Sequence, residues 1–133
     1  MNSTEFRNTI LKKNKGIKLT ANQATRQILN YLNLAGFYAW RNNNNAVWDE
    51  KKQIFRKGSV EKGIPDILGF EKATGKMIAV EVKAGKDKPS PEQLRFIAAL
   101  EKSGGLACFA SCAGDVVEYL EKKMQKPLDK CAE

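Results

Sequence analysis

A chain of 133 residues with a formal net charge of +8 is long enough for one hydrophobic core, and its excess of lysine and arginine is typical of proteins that bind nucleic acid. It contains no histidine, which excludes Ser-His-Asp and Cys-His mechanisms and every metal site that depends on histidine. Its three cysteines lack paired C-x-x-C spacing, so we expect neither a disulfide framework nor a structural zinc site.

The N-terminal segment 1–19 is basic and weakly periodic, so we expect an arm outside the folded domain. Its basic residues are Arg7, Lys12, Lys13, Lys15 and Lys18. The segment has no signal-peptide core, and no apolar run in the chain is long enough to span a bilayer. Together with the unpaired cysteines, these features predict a soluble cytoplasmic protein that makes no membrane contact.

The first helix is predicted to begin at Thr20, because Thr20 and Gln23 have the spacing of a capping box. Its apolar residues recur at every fourth position, at Ala24, Ile28 and Leu32. A short strand should follow at 37–41, and the four asparagines at 42–45 favour a loop.

The stretch 46–56 is loosely patterned and is predicted to add a second strand before a turn region at 58–63. Trp48 and Phe55 are the candidates for burial in this stretch. We interpret Trp40 and Trp48 as core residues rather than as platforms for nucleobases, because large aromatic side chains usually bury.

Two apolar runs, 64–70 and 77–83, flank a Thr74-Gly75 turn and predict a β-hairpin. Side chains alternate between the two faces of a strand, so Glu81 and Lys83 share one face. The second strand of the hairpin therefore presents an acid and a lysine side by side.

A second helix is marked by an N-cap serine, a proline at its first position and a capping-box glutamine, at Ser90, Pro91 and Gln93. Its predicted apolar face consists of Leu94, Ile97 and Ala98. The run 106–110 predicts a central strand, and Asp115 with Glu118 predicts the start of a last helix. The buried residues of that helix are expected to be Val116, Val117, Leu120 and Met124.

The predicted element order is α-β-β-β-α-β-α, without an internal repeat or a linker. This order indicates one α/β domain over residues 20–125, with a central mixed sheet flanked by helices. Residues 126–133 are expected to form a C-terminal tail.

The register of the hairpin decides whether its acids meet. If Phe70 pairs with Met77, the antiparallel ladder places Asp66 directly opposite Glu81. Their Cβ atoms would lie roughly 5 Å apart, and two ionised carboxylates at that distance repel unless a cation or a proton separates them. A slip by one residue would send Asp66 to the other face.

A hard divalent cation resolves this repulsion, because Mg²⁺ commonly binds one or two protein carboxylates and leaves its other positions to water and phosphate. Such a site suits phosphodiester hydrolysis: the metal polarises the phosphate and activates water, while Lys83 orients that water or offsets transition-state charge. The alternative is structural, with Lys83 neutralising Glu81 or Asp66 as an ion pair on a solvated sheet face.

Five short segments occur in a recognisable order: Phe37-Tyr38-Ala39-Trp40-Arg41-Asn42, Gly63-Ile64-Pro65-Asp66-Ile67-Leu68, Ile78-Ala79-Val80-Glu81-Val82-Lys83, Ser90-Pro91-Glu92-Gln93 and Gly104-Gly105-Leu106-Ala107. Together they resemble the VRR-NUC branch of the PD-(D/E)XK nucleases, over about residues 20–120. The resemblance implies a restriction-endonuclease-like fold and cleavage of DNA with Mg²⁺ or Mn²⁺.

Domains that this chain resembles occur alone in viruses and prophages, and fused to larger repair nucleases and helicases. The free-standing ones are similar to Holliday-junction resolvases that act as homodimers. The resemblance therefore implies a structure-selective endonuclease that works as a homodimer on branched or duplex DNA, in the host cytoplasm if the chain is viral.

The resemblance also implies a set of site residues. The metal-binding acids of the family fall on Asp66 and Glu81, and the backbone carbonyl of Val82 is a further expected ligand. The catalytic lysine falls on Lys83, and a helical glutamine falls on Gln93, which serves equally well as a capping-box partner.

The first helix departs from the family pattern. Many members of the superfamily place another acid there, whereas this chain offers Gln23 and Gln27 instead. We therefore expect single-metal chemistry, or a metal site completed by the DNA phosphate.

Basic residues flank the proposed site in loops and at strand ends, where they could hold phosphates on either side of the cut. They are Arg41, Arg56, Lys57, Lys62, Lys86 and Lys88. Each alone is explained as well by ordinary surface charge, but their concentration near the acids matters, because an acidic metal site does not attract DNA unaided.

Two other functions are compatible with the sequence. One is a catalytically inert DNA-binding or assembly module that keeps the nuclease fold, which the missing helix acid favours. The other is a nuclease specific for RNA, which competition between matched DNA and RNA substrates would separate from a DNA nuclease.

Overall fold

The computed structural model describes residues 18–42, 47–56 and 61–131, together with residues 4, 5 and 8, and it describes their side chains except at 47, 56 and 124–131. Most of the predicted basic arm and Lys57 lie outside the described residues. The elements in chain order are α1 (Ala21–Leu34), β1 (Phe37–Arg41), β2 (Val47–Asp49), β3 (Ile54–Arg56), β4 (Ile67–Glu71), β5 (Met77–Val82), α2 (Pro91–Lys102), β6 (Leu106–Ala110) and α3 (Ala113–Cys131).

A four-stranded sheet in the order β1-β4-β5-β6 forms the centre of the molecule. β4 is antiparallel to both β1 and β5, whereas β5 and β6 are parallel and are joined through α2. Parallel neighbours need such a crossover connection, because a tight turn reverses the chain direction and therefore joins only antiparallel strands. The predicted α/β class and central mixed sheet are confirmed.

The hairpin of β4 and β5 has the predicted register. Phe70 pairs with Met77 and Leu68 with Ala79, and the ladder ends with Ile67 opposite Val80. β4 begins at Ile67, three residues later than the apolar run suggested, because the segment before it packs as an irregular loop.

The two faces of the sheet are covered by different helices. α1 and α3 pack on the face that carries Ile67, Ile78 and Val80, which are fully buried. α2 packs on the opposite face, where Ile97 contacts a smaller cluster with Ala79 and Ala107. Glu81 is on this second face by strand alternation, so α2 adjoins the acids.

Both predicted capping boxes are present. Thr20 accepts a hydrogen bond from the backbone of Gln23, and the Gln23 side chain accepts one from the backbone of Thr20. Ser90 and Gln93 make the same reciprocal pair at the start of α2. These bonds satisfy backbone N–H groups that the first turn of a helix leaves without partners.

The stretch 46–56 differs from its prediction. It contains two three-residue strands, β2 and β3, which pair only with each other as a separate two-stranded sheet. Trp48 and Phe55 form an edge-to-face pair on it and are 45% and 68% exposed. The prediction that they are buried is wrong, because the hairpin is too small to provide a core.

Two further expectations about burial are wrong. Trp40 is 45% exposed, since α2 covers the β5 and β6 side of its sheet face and leaves the β1 side open. On α2, Leu94 and Ala98 are exposed and only Ile97 is buried, because the helix contacts the sheet along a narrow line.

The last helix follows its predicted pattern in the described part. Val116, Val117 and Leu120 are buried against the sheet, whereas the side chain of Met124 is outside the described set. α3 continues to Cys131, into the segment expected to be a tail. None of the described helices is long and apolar enough to cross a membrane.

Candidate active site

Asp66 and Glu81 meet where the hairpin ladder ends. Asp66 directly precedes β4, and Glu81 is the fifth residue of β5, so continuing the observed register sets them opposite each other. The Asp66 carboxylate accepts a hydrogen bond of 3.1 Å from the backbone N–H of Val82. This bond holds Asp66 beside the end of β5. It gives the Val82 N–H an acceptor beyond the last backbone pair of the β4–β5 ladder.

Glu81 is a buried carboxyl group, with only 5% of its surface exposed. Burial raises the pKa of Glu81 to about 7, and the neighbouring charge of Asp66 and a hydrogen bond with it act in the same direction. Lys83 lowers the pKa without reversing the shift. A buried acid with such a raised pKa, facing a second acid, is typical of a functional site.

Pro65 leaves the Val82 carbonyl without a donor in the ladder. Even-numbered residues of β5 direct their backbone polar groups toward β4, as the bond from Glu71 N–H to the Lys76 carbonyl at 2.8 Å indicates. Lys83 N–H points the other way, to the Ala110 carbonyl at 2.9 Å. Continued two residues past its last observed pair, the register sets residue 65 opposite Val82, and a proline there has no N–H to donate.

Lys83 and Gln93 complete the surroundings of Glu81. Lys83 Nζ lies 3.9 Å from Glu81 Oε1, which is an ion-pair distance rather than a close hydrogen bond. Gln93 Nε2 donates to the same oxygen at 3.0 Å, while Gln93 Oε1 accepts from the backbone of Ser90. The two roles considered for Gln93 therefore coexist, because its amide has one end for each.

Asn42 positions Asp66 from the neighbouring strand. Its backbone N–H donates to the Asp66 carbonyl at 2.7 Å, and its side-chain amide donates to the Pro65 carbonyl at 3.3 Å. These bonds extend the pairing of β1 and β4 by one residue beyond the strand ends. Sequence reasoning missed this residue, since a run of four asparagines indicates a loop and does not mark its first member.

The glutamines of α1 are both engaged in structural hydrogen bonds. Gln23 belongs to the capping box, and Gln27 Oε1 accepts a 3.0 Å bond from the backbone of Ala113 at the start of α3. Neither replaces the acid that many superfamily members carry on this helix.

The predicted phosphate-binding residues are not all brought to the acids. Arg41 lies on the opposite sheet face, where its guanidinium donates to Asn22 of α1 at 2.8 Å. Lys62 lies beside the start of α2, at a shallow cavity that it lines with Glu61, Glu92, Arg95 and Phe96. Lys86 and Lys88 are exposed in the loop after β5, and the side chain of Arg56 is not described.

The donor set fits a hard divalent cation. Asp66 and Glu81 supply carboxylate oxygens, and Val82 supplies a carbonyl that the ladder leaves open; these are ligand types that Mg²⁺ and Mn²⁺ prefer. Within the described part of the chain, no group of three or more Asp, Glu, Cys or His side chains could hold a metal. Among the described residues, the acids that meet at this site are therefore the two carboxylates of Asp66 and Glu81.

Comparison with known families agrees with the geometry. The family model of the VRR-NUC domain matches residues 19–114, which is most of the chain and includes every part of the site. No curated protein and no solved structure gave a significant match. The chain belongs to the VRR-NUC domain family, a branch of the PD-(D/E)XK nucleases, and this domain indicates nuclease-type cleavage of DNA.

Proposed function

We propose that this protein is a Mg²⁺- or Mn²⁺-dependent DNA endonuclease that hydrolyses phosphodiester bonds at a site formed by Asp66, Glu81, Val82 and Lys83. The observation that carries the proposal is the pair of facing carboxylates at the end of the hairpin, one of them buried. Two carboxylates in this arrangement repel unless a cation or a proton lies between them.

A bound divalent cation would supply the positive charge that polarises the scissile phosphate and activates water. Lys83 keeps its ammonium group within ion-pair distance of Glu81 and is 20% exposed, so it can reach a phosphate that approaches from solvent. Gln93 Nε2 donates a hydrogen bond to Glu81 Oε1 and so holds the carboxyl group in position.

Selectivity for branched DNA belongs to the same proposal. Among the described residues, the chain forms one small sheet with three helices and one exposed hairpin, without a separate module for reading base sequence. Recognition through DNA shape is then the simpler expectation. A homodimer would place two such sites on the two strands of a branched substrate.

The proposal is tested by incubating the protein with Mg²⁺ or Mn²⁺ and labelled duplex, single-stranded, flap, splayed and four-way-junction DNA. Cleavage should require the metal and should be abolished in Asp66→Ala and Lys83→Ala, with DNA binding retained. Lys72→Ala is the matched control, since Lys72 is an exposed lysine in the turn at the other end of the same hairpin. Equal cleavage by wild type and Lys83→Ala would refute the assignment.

The oligomeric state is tested separately. Sedimentation of the protein with and without a four-way junction should reveal a dimer at micromolar concentration. A monomer under both conditions would remove the homodimer from the proposal and leave the catalytic assignment in place.

An inert DNA-binding module is the second candidate, and one observation favours it. α1 contains no Asp or Glu, and both of its glutamines are engaged in structural hydrogen bonds, so α1 contributes no acid to the site. Tight, salt-sensitive DNA binding without cleavage in either metal would establish this alternative. Competition by RNA of matched structure, run beside these assays, tests the preference for DNA.

A further inference from the structure

An aromatic platform lies on the same sheet face as the catalytic acids. We give this name to Tyr38, Trp40 and Phe70, which are 56%, 45% and 40% exposed. The rings of Tyr38 and Phe70 are stacked with centroids 5.4 Å apart, and Trp40 packs edge-on against Tyr38 at 6.2 Å. The three rings support one another, so the platform is ordered without an outside partner.

The strand registers place the platform next to the acids. Tyr38 lies opposite Phe70 and Trp40 opposite Leu68, and residues that oppose each other in a ladder share a face. Leu68 and Asp66 are two residues apart on one chain, so they also point to one side. Trp40 lies level with Leu68, and Asp66 and Glu81 lie at the next same-face position along the strands, roughly 7 Å further on.

Helix α2 defines the open part of this face. It covers Ala79 and Ala107 with Ile97 and reaches as far as Leu68, which is half-buried. The platform lies beyond the reach of the helix, with Tyr38 and Trp40 on β1 and Phe70 near the end of β4, and the 39% exposed Met77 adjoins it. The exposed side chains thus form a continuation of the active-site surface.

We infer that the platform binds an unpaired nucleobase of the substrate, next to the phosphate that is cleaved. The inference rests on the proposed function, because the acids define where that phosphate lies. A base in intact duplex is stacked between its neighbours, whereas an unpaired or extruded base presents a free face to aromatic side chains. The surrounding charge is favourable, with a net charge of +8 for the chain and Lys83 on the same face.

The size of the platform argues for a nucleobase rather than for a second copy of the chain. With ~200 Å² for each large side chain, the platform and Met77 expose on the order of 400 Å². A stable protein interface needs about 800 Å² from each partner. One or two bases, by contrast, are matched in area by the platform.

The inference gives substrate selectivity a physical cause. Flaps, junctions and splayed ends contain unpaired or easily unpaired bases at the branch, and uninterrupted duplex does not. Cleavage would then be favoured at a phosphate beside a base that can leave its stack and reach Trp40. The distance along the strand between Trp40 and the acids, roughly 7 Å, is within the span of a single nucleotide.

The test measures binding in EDTA, so that it does not depend on cleavage. A short single-stranded oligonucleotide carrying one 2-aminopurine, and the fully paired duplex of the same sequence, are titrated with wild type, Trp40→Ala and Trp40→Phe. We expect Trp40→Ala to weaken single-strand binding roughly 10-fold and to abolish the quenching of 2-aminopurine, with duplex binding unchanged. Trp40→Phe should retain most of the affinity, because it keeps an aromatic face.

Trp48→Ala is the matched control, since Trp48 is also 45% exposed but lies on the separate β2–β3 hairpin. Circular dichroism of each variant verifies folding, and Tyr38→Ala provides a second substitution in the platform. Single-strand affinity unchanged in Trp40→Ala, or an equal loss in Trp48→Ala, would overturn the inference. So would a shift from dimer to monomer in Trp40→Ala, which would assign this face to a second copy.

The outcome is separable from that of the proposed function. Loss of cutting in Lys83→Ala tests the chemistry, whereas 2-aminopurine quenching tests the platform in the absence of metal. A protein that stacks the base but does not cut would support the platform and refute the nuclease proposal for this chain.

Discussion

Glu81→Gln should make the metal-free protein more stable at neutral and alkaline pH. Burial raises the pKa of Glu81 from 4.5 to about 7, so the folded protein holds this proton more tightly than the unfolded chain does. As pH rises from 4.5 toward 7, the unfolded state releases its proton first, and the free energy of unfolding falls. Each pKa unit corresponds to about 1.4 kcal/mol, so the full cost is about 3 kcal/mol.

The glutamine variant retains the shape of the protonated acid and cannot ionise. Glu81→Gln should therefore be more stable than wild type by about 1 kcal/mol at about pH 5 and by about 3 kcal/mol at about pH 8. In thermal unfolding this difference corresponds to roughly 10 °C for a domain of this size. The difference between the two proteins is the relevant quantity, because other titrating groups cancel in it.

The assay is urea unfolding followed by circular dichroism in EDTA, at both pH values. Glu50→Gln, at an exposed glutamate of the β2–β3 turn, is the control for the loss of one carboxylate at the surface. Added Mn²⁺ should raise the stability of wild type at the higher pH and have little effect on Glu81→Gln, since a ligand stabilises only the state that binds it. A difference between wild type and variant that does not change with pH would refute the reasoning about Glu81.

Three further predictions test the framework of the site. Gln93→Ala and Ser90→Ala should each lower the free energy of unfolding by about 1 kcal/mol, because each removes half of the capping box of α2. Only Gln93→Ala should also lower kcat, roughly 10-fold, because it removes the hydrogen bond that holds Glu81. Equal kcat values in the two variants would contradict this role of Gln93. In urea unfolding, Gly63→Ala should lower the free energy of unfolding more than Gly75→Ala does. Both glycines have positive φ, but only a Cβ at position 63 would clash with backbone, at 2.5 Å from the carbonyl carbon of Glu92. Pro65→Ala should weaken Mn²⁺ binding roughly 10-fold in calorimetry, because the new N–H can occupy the Val82 carbonyl; unchanged affinity would exclude that carbonyl as a ligand.

The hairpin is the part of the site that local sequence predicts best. The turn at 74–75 and the apolar runs beside it specify a β-hairpin, and alternation then fixes which side chains share a face. Phe70 and Met77 pair as predicted, so the position of Asp66 opposite Glu81 follows from local spacing. The capping boxes at Thr20 and Ser90 are local in the same sense and were predicted correctly.

Burial of the aromatic residues was predicted poorly, for a physical reason. A tryptophan is apolar enough for a core, but its burial depends on whether another element covers its strand. α2 stops at the β4 strand, so Trp40 stays exposed, and nothing in the local sequence around Trp40 encodes the path of that helix. Trp48 is exposed for a related reason, because β2 and β3 pair with each other and not with the main sheet.

The sequence by itself determined the fold class, the pairing of the hairpin and the identity of the acid, lysine and glutamine side chains, because these depend on spacing along a short stretch of chain. Only the tertiary structure decided their environment. The burial that raises the pKa of Glu81, the approach of Gln93 from α2 and the anchoring of Asp66 by Asn42 all join residues distant in sequence. Burial and electrostatics arise from every group packed around an atom, and that set is defined only once the chain has folded.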